Sequence, residues 1–146
     1  MPFYKCTLRA GHAGGGGFWE LTVYIGAKSY TDAMKQARWF PAVQHNRSNT
    51  IVDMIAVDEK EYVLGSIVSG YSRRNDIVNP ECFVMLKNVV KRFKNFKVGK
   101  LETEEGKTLQ NFVNRYSKAS EEDKSAIERE YYNWAQDLLN QNQMTI

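Results

Sequence analysis

An α+β fold is predicted for this 146-residue chain: a two-layer sandwich with an antiparallel or mixed, ββαββ-like β-sheet and a C-terminal three-helix region. Three observations predict it. Two runs of alternating polarity near the N-terminus flank a glycine-rich stretch, as the arms of a hairpin do. A β-branched run, TIVDMIAV, follows the first helical pattern. From Pro80 onward the apolar residues recur at helical spacing instead. The length suits a single α+β domain over 1–146, in which residues 1–79 contain the sheet and residues 80–146 are helical.

The first strand is expected over Phe3 to Ala10, with Tyr4, Cys6 and Leu8 facing opposite to Lys5, Thr7 and Arg9. The second is expected over Phe18 to Gly26, with Trp19, Leu21, Val23 and Ile25 on one face. The glycine-rich segment Gly11 to Gly17 then forms the hairpin loop, longer than the favoured two-residue turns but within reach of a hairpin. Ser29 with Asp32 resembles a capping box and opens a helix carrying Tyr30, Ala33, Met34 and Ala37, which Pro41 limits. Thr50 to Val57 is a strand, Asp58-Glu59-Lys60 a turn, and Glu61 to Leu64 a short returning strand. Gly65 to Asn79 gives no clear pattern beyond a short strand or turn at Ile67 and Val68. Asn79-Pro80 opens a helix over 80–94, with a stripe of Phe83, Leu86, Val89, Val90 and Phe93. A helix from about Thr103 carries Leu109, Phe112, Val113 and Tyr116. A last one from Ser120, whose box closes with Asp123, buries Ile127, Tyr131, Trp134, Ala135 and Leu138. The short connection makes these two an antiparallel pair, and spacing alone leaves open whether they pack on the sheet or on a partner. Residues 141–146 are expected to fray.

The composition, 42% hydrophobic and 25% charged with 8 Tyr, 7 Phe and 3 Trp, is that of a chain with a real core. Two cysteines, Cys6 and Cys82, without a crowded pattern or a leader read as reduced thiols, and no apolar window is long enough to span a bilayer. A cytoplasmic protein with no membrane association is the expectation. The net charge of +3 is small, but its distribution is not even. Residues 80–100 carry six Lys/Arg against one Asp/Glu, whereas 101–146 carry five against nine.

The stretch GHAGGGGFWE invites a phosphate-loop reading, which fails. A phosphate cradle needs a lysine and a hydroxyl residue on the first turn of a following helix, and here Phe18 and Trp19 open a strand. A glycine loop able to order against a partner remains, which makes Gly14, Gly15, Gly16, Gly17 and Trp19 candidate partner-binding residues. His12, His45, Cys6 and Cys82 have no metal-ligand spacing, so neither metal nor cofactor is expected, and neither histidine has a nucleophile assignable to it. Asp53 stands out in an apolar strand: it lies on the face of Ile51, Ile55 and Val57, either near the sheet edge or paired with a cation, since an unpaired buried carboxylate is costly. Lys87, Lys91 and Lys94 recur along one helix face with Arg92 adjacent and Lys97 and Lys100 beyond, and Arg73 and Arg74 lie beside Tyr71. Such a set can meet successive phosphates, can meet an acidic protein surface, or can be a solvated face neutralised by the acidic tail.

The expected function is therefore a small non-enzymatic interaction protein with a protein partner, of a size that suits a viral or mobile-element accessory factor, with oligomerisation left open. The alternative is a nucleic-acid-binding protein using Arg73, Arg74, Lys87, Lys91, Arg92 and Lys94. A hydrolase or nuclease comes third, for want of a nucleophile or an acid/base pair.

Overall fold

The computed structural model describes residues 1–10, 19–38, 50–68 and 83–143. Along these run β1 (Phe3–Ala10), β2 (Trp19–Gly26), α1 (Tyr30–Ala37), β3 (Ile51–Val57), α2 (Glu59–Ile67), α3 (Leu86–Asn95), α4 (Glu104–Lys118) and α5 (Glu121–Gln143). The strands form one antiparallel sheet in the order β2-β1-β3. The α+β class, the hairpin pairing of β1 with β2 and the helical C-terminal region are as the sequence predicts.

Alternation gives the sheet two different faces. Cys6 and Leu8 of β1 meet Val23 and Leu21 of β2 across the ladder, and with Ile25 they are buried beneath Ala33 and Ala37 of α1. Small residues on α1 let the helix approach the sheet closely, and Ser29 fixes its start by accepting the Asp32 N–H at 3.1 Å. Burial pushes the Cys6 thiol up to about 12, with the negative charge of Asp53 adding to it. Cys6 is a free, inert core thiol. On the opposite face, Phe3 stacks on Tyr62 of α2 with ring centroids 4.5 Å apart. Tyr24 and Val57 join the same cluster, which runs on into α3, α4 and α5.

Where the sequence suggests a fourth strand, the chain is helical. Asp58 accepts the Glu61 N–H at 2.8 Å and caps α2, so the expected turn is a helix start and Glu61 to Leu64 lie within the helix. Tyr, Val and Leu favour strands only when they fit a pleated surface, and here Tyr62, Val63 and Ile67 are buried among helices instead. The order is ββαβα, not ββαββ.

A second correction concerns β3. The pairing shifts between Thr7 and Leu8: Thr7 is opposite Asp53 but Leu8 is opposite Ile51, leaving Val52 as the extra residue of a bulge. Ile51 thereby joins Met54 against the Cys6–Leu8 cluster, whereas strict alternation puts it with Asp53. Asp53 is exposed on this edge strand, where its Oδ1 accepts the Met54 N–H at 2.9 Å. A bulge and a carboxylate that occupies a backbone donor both guard an edge against unwanted strand pairing.

The last two helices form the expected antiparallel pair. Contacts widen outward from the connection at Ala119 and Ser120: Lys124 over the Tyr116 ring, then Arg115 with Glu130 at 2.6 Å, then Phe112 with Tyr131 and Trp134. The expected cap at Ser120 forms, accepting from Asp123 at 3.3 Å, and Thr103, near which α4 is expected to begin, caps it by accepting from Gly106 at 3.0 Å. Tyr131, Ala135, Leu138 and Leu139 lie in the same core as Phe3 and Tyr62, so the C-terminal helices pack back on the rest of the chain. Helix α5 continues through Gln143, two residues beyond the point at which fraying is expected to begin.

Glu59 ties α2 to the start of α4. Its carboxylate accepts the backbone N–H groups of Glu102, at 2.9 Å, and of Thr103, supplementing the cap of α4 from 43 positions away. Gly106 leaves the room for it, since a Cβ there would come within 2.8 Å of Glu59 Oε2. Partial burial alone raises the Glu59 pKa, but the hydrogen bonds from Thr103 and Glu102 together outweigh it and hold the carboxyl below its ordinary value of 4.5. A depressed folded-state pKa contributes stability above the unfolded value that is lost as pH falls through the folded one. Glu59→Gln is therefore expected to lower stability at neutral pH by about 0.5–2 kcal/mol, the usual worth of a cap. Thermal unfolding followed from neutral to acid pH checks it: the gap between wild type and variant should close below the ordinary glutamate value. A gap independent of pH would show that the charge of Glu59 is not what caps α4.

Candidate functional site

The lysine-bearing helix starts later than its sequence suggests. Phe83 is not helical; it bridges Val68 in antiparallel fashion, and the Val84 N–H donates to the Ile67 carbonyl at 2.9 Å. Helix α3 begins at Leu86 after Met85, a residue whose side chain gives no cap. The missing cap comes from α5. Glu128 accepts the N–H groups of Leu86 at 3.2 Å and Lys87 at 3.3 Å, and the Tyr131 hydroxyl donates to the Val84 carbonyl at 2.7 Å. A carboxylate at this end also meets the positive pole of the helix dipole.

With its start so held, α3 turns Leu86, Val89 and Phe93 into the core and leaves Lys87, Lys91 and Lys94 exposed. At 3.6 residues per turn the three lysines lie within about 60° of one another and span roughly 10 Å of the axis. Arg92, which the sequence groups with them, is placed apart. It is half-buried, and its positive charge acts on the buried phenols of Tyr62 and Tyr131.

At the other end α3 closes in a Schellman motif. The Val98 N–H donates to the Phe93 carbonyl at 3.1 Å and the Lys97 N–H to the Lys94 carbonyl at 3.4 Å. Lys97 occupies the position after the cap with φ of 51°, a left-handed conformation where glycine is the ordinary choice. Gly99, which the sequence offers as the helix breaker, comes two residues later.

Neutralisation by the acidic tail does not occur through ion pairs here. Among the described residues the salt bridges are Arg115–Glu130 and Lys124–Glu121, both within the last two helices. The nine carboxylates of residues 101–146 thus leave the side chains of Lys87, Lys91 and Lys94 without an ion-pair partner among the described residues. Glu128, which lies at the start of α3, is engaged by backbone amides.

Of the other sequence candidates, Gly14, Gly15, Gly16, Gly17, Arg73, Arg74, His12, His45 and Cys82 lie outside the described residues. Trp19 opens β2, its backbone opposite Ala10. No group of three His, Cys, Asp or Glu side chains that could hold a metal ion occurs among the described residues. No described helix is long and apolar enough to cross a membrane.

Sequence reasoning passed over Lys28 and Lys35. Lys28 lies just before Ser29, the cap of α1, and Lys35 in the last turn of that helix, and both are exposed. With Lys97 they line a cleft of about 510 Å³ between the start of α1 and the end of α3. No local pattern joins them, because Lys28 precedes the helix that carries Lys35, and Lys97 comes some sixty positions on. Comparisons of the chain with protein-family models, with curated proteins and with solved structures find no match.

Proposed function

We propose that this protein binds nucleic acid through its phosphate backbone, with Lys87, Lys91 and Lys94 of α3 as the principal contacts. The single observation that carries this is the division of α3 into a face locked in the core and a face of three exposed lysines that make no ion pair among the described residues. A helix whose apolar side is fixed presents its cations in a set row, and roughly 10 Å of row is room for about three successive phosphates of one strand. The contacts are to phosphates, so binding is largely independent of base sequence.

Replacing Lys87, Lys91 and Lys94 together by glutamine tests this. The side chains are exposed, so thermal unfolding should barely change, while affinity for nucleic acid falls at least tenfold. The slope of log K against log salt should flatten by roughly two to three units for the three lost phosphate contacts. Binding and a salt slope unchanged in the triple variant would overturn the proposal.

A protein-binding reading is the second. Val52 and Ile55 of the edge strand β3 are 44% and 52% exposed, apolar area that a protein partner could cover. Partner capture that survives nuclease treatment and moderate salt, and that is lost in Val52→Lys/Ile55→Lys, would favour it over the nucleic-acid reading.

A further inference from the structure

We infer that the cleft between α1 and the C-terminal turn of α3 is a binding site for a terminal phosphate, the phosphorylated end of a nucleic-acid strand whose backbone runs along α3. This rests on the proposed function for the strand and on the cleft's own construction for the phosphate. Three lysines from two distant segments of the chain, Lys28 and Lys35 at α1 and Lys97 after α3, line one concavity of about 510 Å³, within the size range of small-molecule sites. The carboxylate facing them is Asp32, whose Oδ2 accepts from Gln36 Nε2 at 3.3 Å. None of the three lysines forms an ion pair among the described residues.

A phosphodiester carries one negative charge, and one exposed lysine per step, as on the outer face of α3, suits it. A terminal phosphate monoester carries about 1.5 to 2 at neutral pH, and three cations around one cleft suit that higher charge. Continuity supports the assignment: Lys94 lies in the last turn of α3, and the residues that follow it, Asn95, Phe96 and Lys97, line the cleft. The conformation of Lys97 supports it further. A side chain is kept at a left-handed position where glycine would relieve strain, and that side chain is one of the three cations of the cleft.

Fluorescence anisotropy with one short single strand in three forms, 5′-phosphorylated, 3′-phosphorylated and without terminal phosphate, tests the site. One phosphorylated form should bind about tenfold more tightly than the unphosphorylated strand. Lys97→Gly should abolish that preference while raising the melting temperature by roughly 2–4 °C, because it removes the strained side chain. The Lys87, Lys91, Lys94 triple glutamine variant should weaken all three strands alike and keep the preference. Equal affinity for the three forms, or a preference intact in Lys97→Gly, overturns the cleft assignment and leaves the α3 interface standing. Failure of all three strands to bind overturns the α3 interface instead. The cleft is then judged on a nucleoside 5′-monophosphate alone: NMR shifts at the amides of residues 28–36 and 95–97 support it, and their absence overturns it.

Discussion

Replacing Gly65 by alanine is expected to destabilise the protein by about 1–3 kcal/mol, the range for forcing extra volume into a filled core. In an ordinary helix interior the same change is stabilising by roughly 0.5–1 kcal/mol, because glycine loses more backbone entropy on folding. The sign reverses here because α2 lies directly on the sheet. A Cβ at Gly65 would stand 2.0 Å from Tyr24 Cδ1 and 2.1 Å from Cε1. No side-chain adjustment at position 65 relieves that overlap, so either the Tyr24 ring or the helix must move. Tyr24 packs against the main core, and its hydroxyl pKa is raised by burial and then by the charge of Glu61. Urea unfolding of Gly65→Ala checks the direction. Because the clash is with one ring, Tyr24→Ala combined with Gly65→Ala should cost less than the sum of the two single changes. A stabilised Gly65→Ala, or strict additivity in the double variant, would contradict the close approach of α2 to β2.

Tyr131→Ala is expected to have the larger effect, about 3–5 kcal/mol, a large share of the total stability of a domain this size. Tyr131 is 1% exposed and is the largest of the fully buried side chains among the described residues. Its ring packs edge-on against Phe112 and beside Trp134, while its hydroxyl donates to the Val84 carbonyl at 2.7 Å, so one residue ties α4, α5 and the approach to α3 together. Burial, with the charge of Glu128 adding to it, holds its phenol well above the ordinary tyrosine range, which favours the neutral hydroxyl that donates. Tyr131→Phe separates the two roles. It keeps the ring and removes the hydroxyl, leaving the Val84 carbonyl without this donor, and should cost about 1–3 kcal/mol. Amide hydrogen exchange should then speed up at the first turn of α3 while the rest of that core stays protected. If Tyr131→Phe is as damaging as Tyr131→Ala, the hydroxyl dominates and the packing account is wrong.

The candidate interface depends on the same clamp. Lys87 is presented on the first turn of α3, and that turn is held by Glu128 and, through Val84, by Tyr131. The lysines were legible in the sequence because 87, 91 and 94 fall on one side of any helix through them. Arg92 was grouped with them by adjacency along the chain, yet one residue is about 100° of helical rotation, enough to turn it from the outer row toward Tyr62. Lys28 and Lys35 were passed over because α1 is far from α3 in sequence, and only packing brings its start beside Lys97.

What the sequence determined by itself is what a few neighbouring residues settle. Alternation over eight positions placed β1 and β2 and their buried faces. Caps acting across three positions, at Ser29 and Ser120, placed the starts of α1 and α5, and apolar spacing placed α4 from about Thr103. Apolar spacing placed the buried stripe of α3. Tertiary structure decided the rest, wherever a residue's partner is remote. Asp58 and Glu61 carried a helix signal, but EYVL is strand-like in composition, and its state was decided by Phe3, Tyr24 and the C-terminal helices packing around it. The bulge at Val52, which moves Ile51 to the other face of the sheet, follows from the ladder with β1. The start of α3 is fixed by Glu128 some forty positions away, and the cap of α4 by Glu59 at a similar remove. Periodicity and capping are local free energies and can be read along the chain. Close approach, shared caps and convergent charges exist only once distant segments have met.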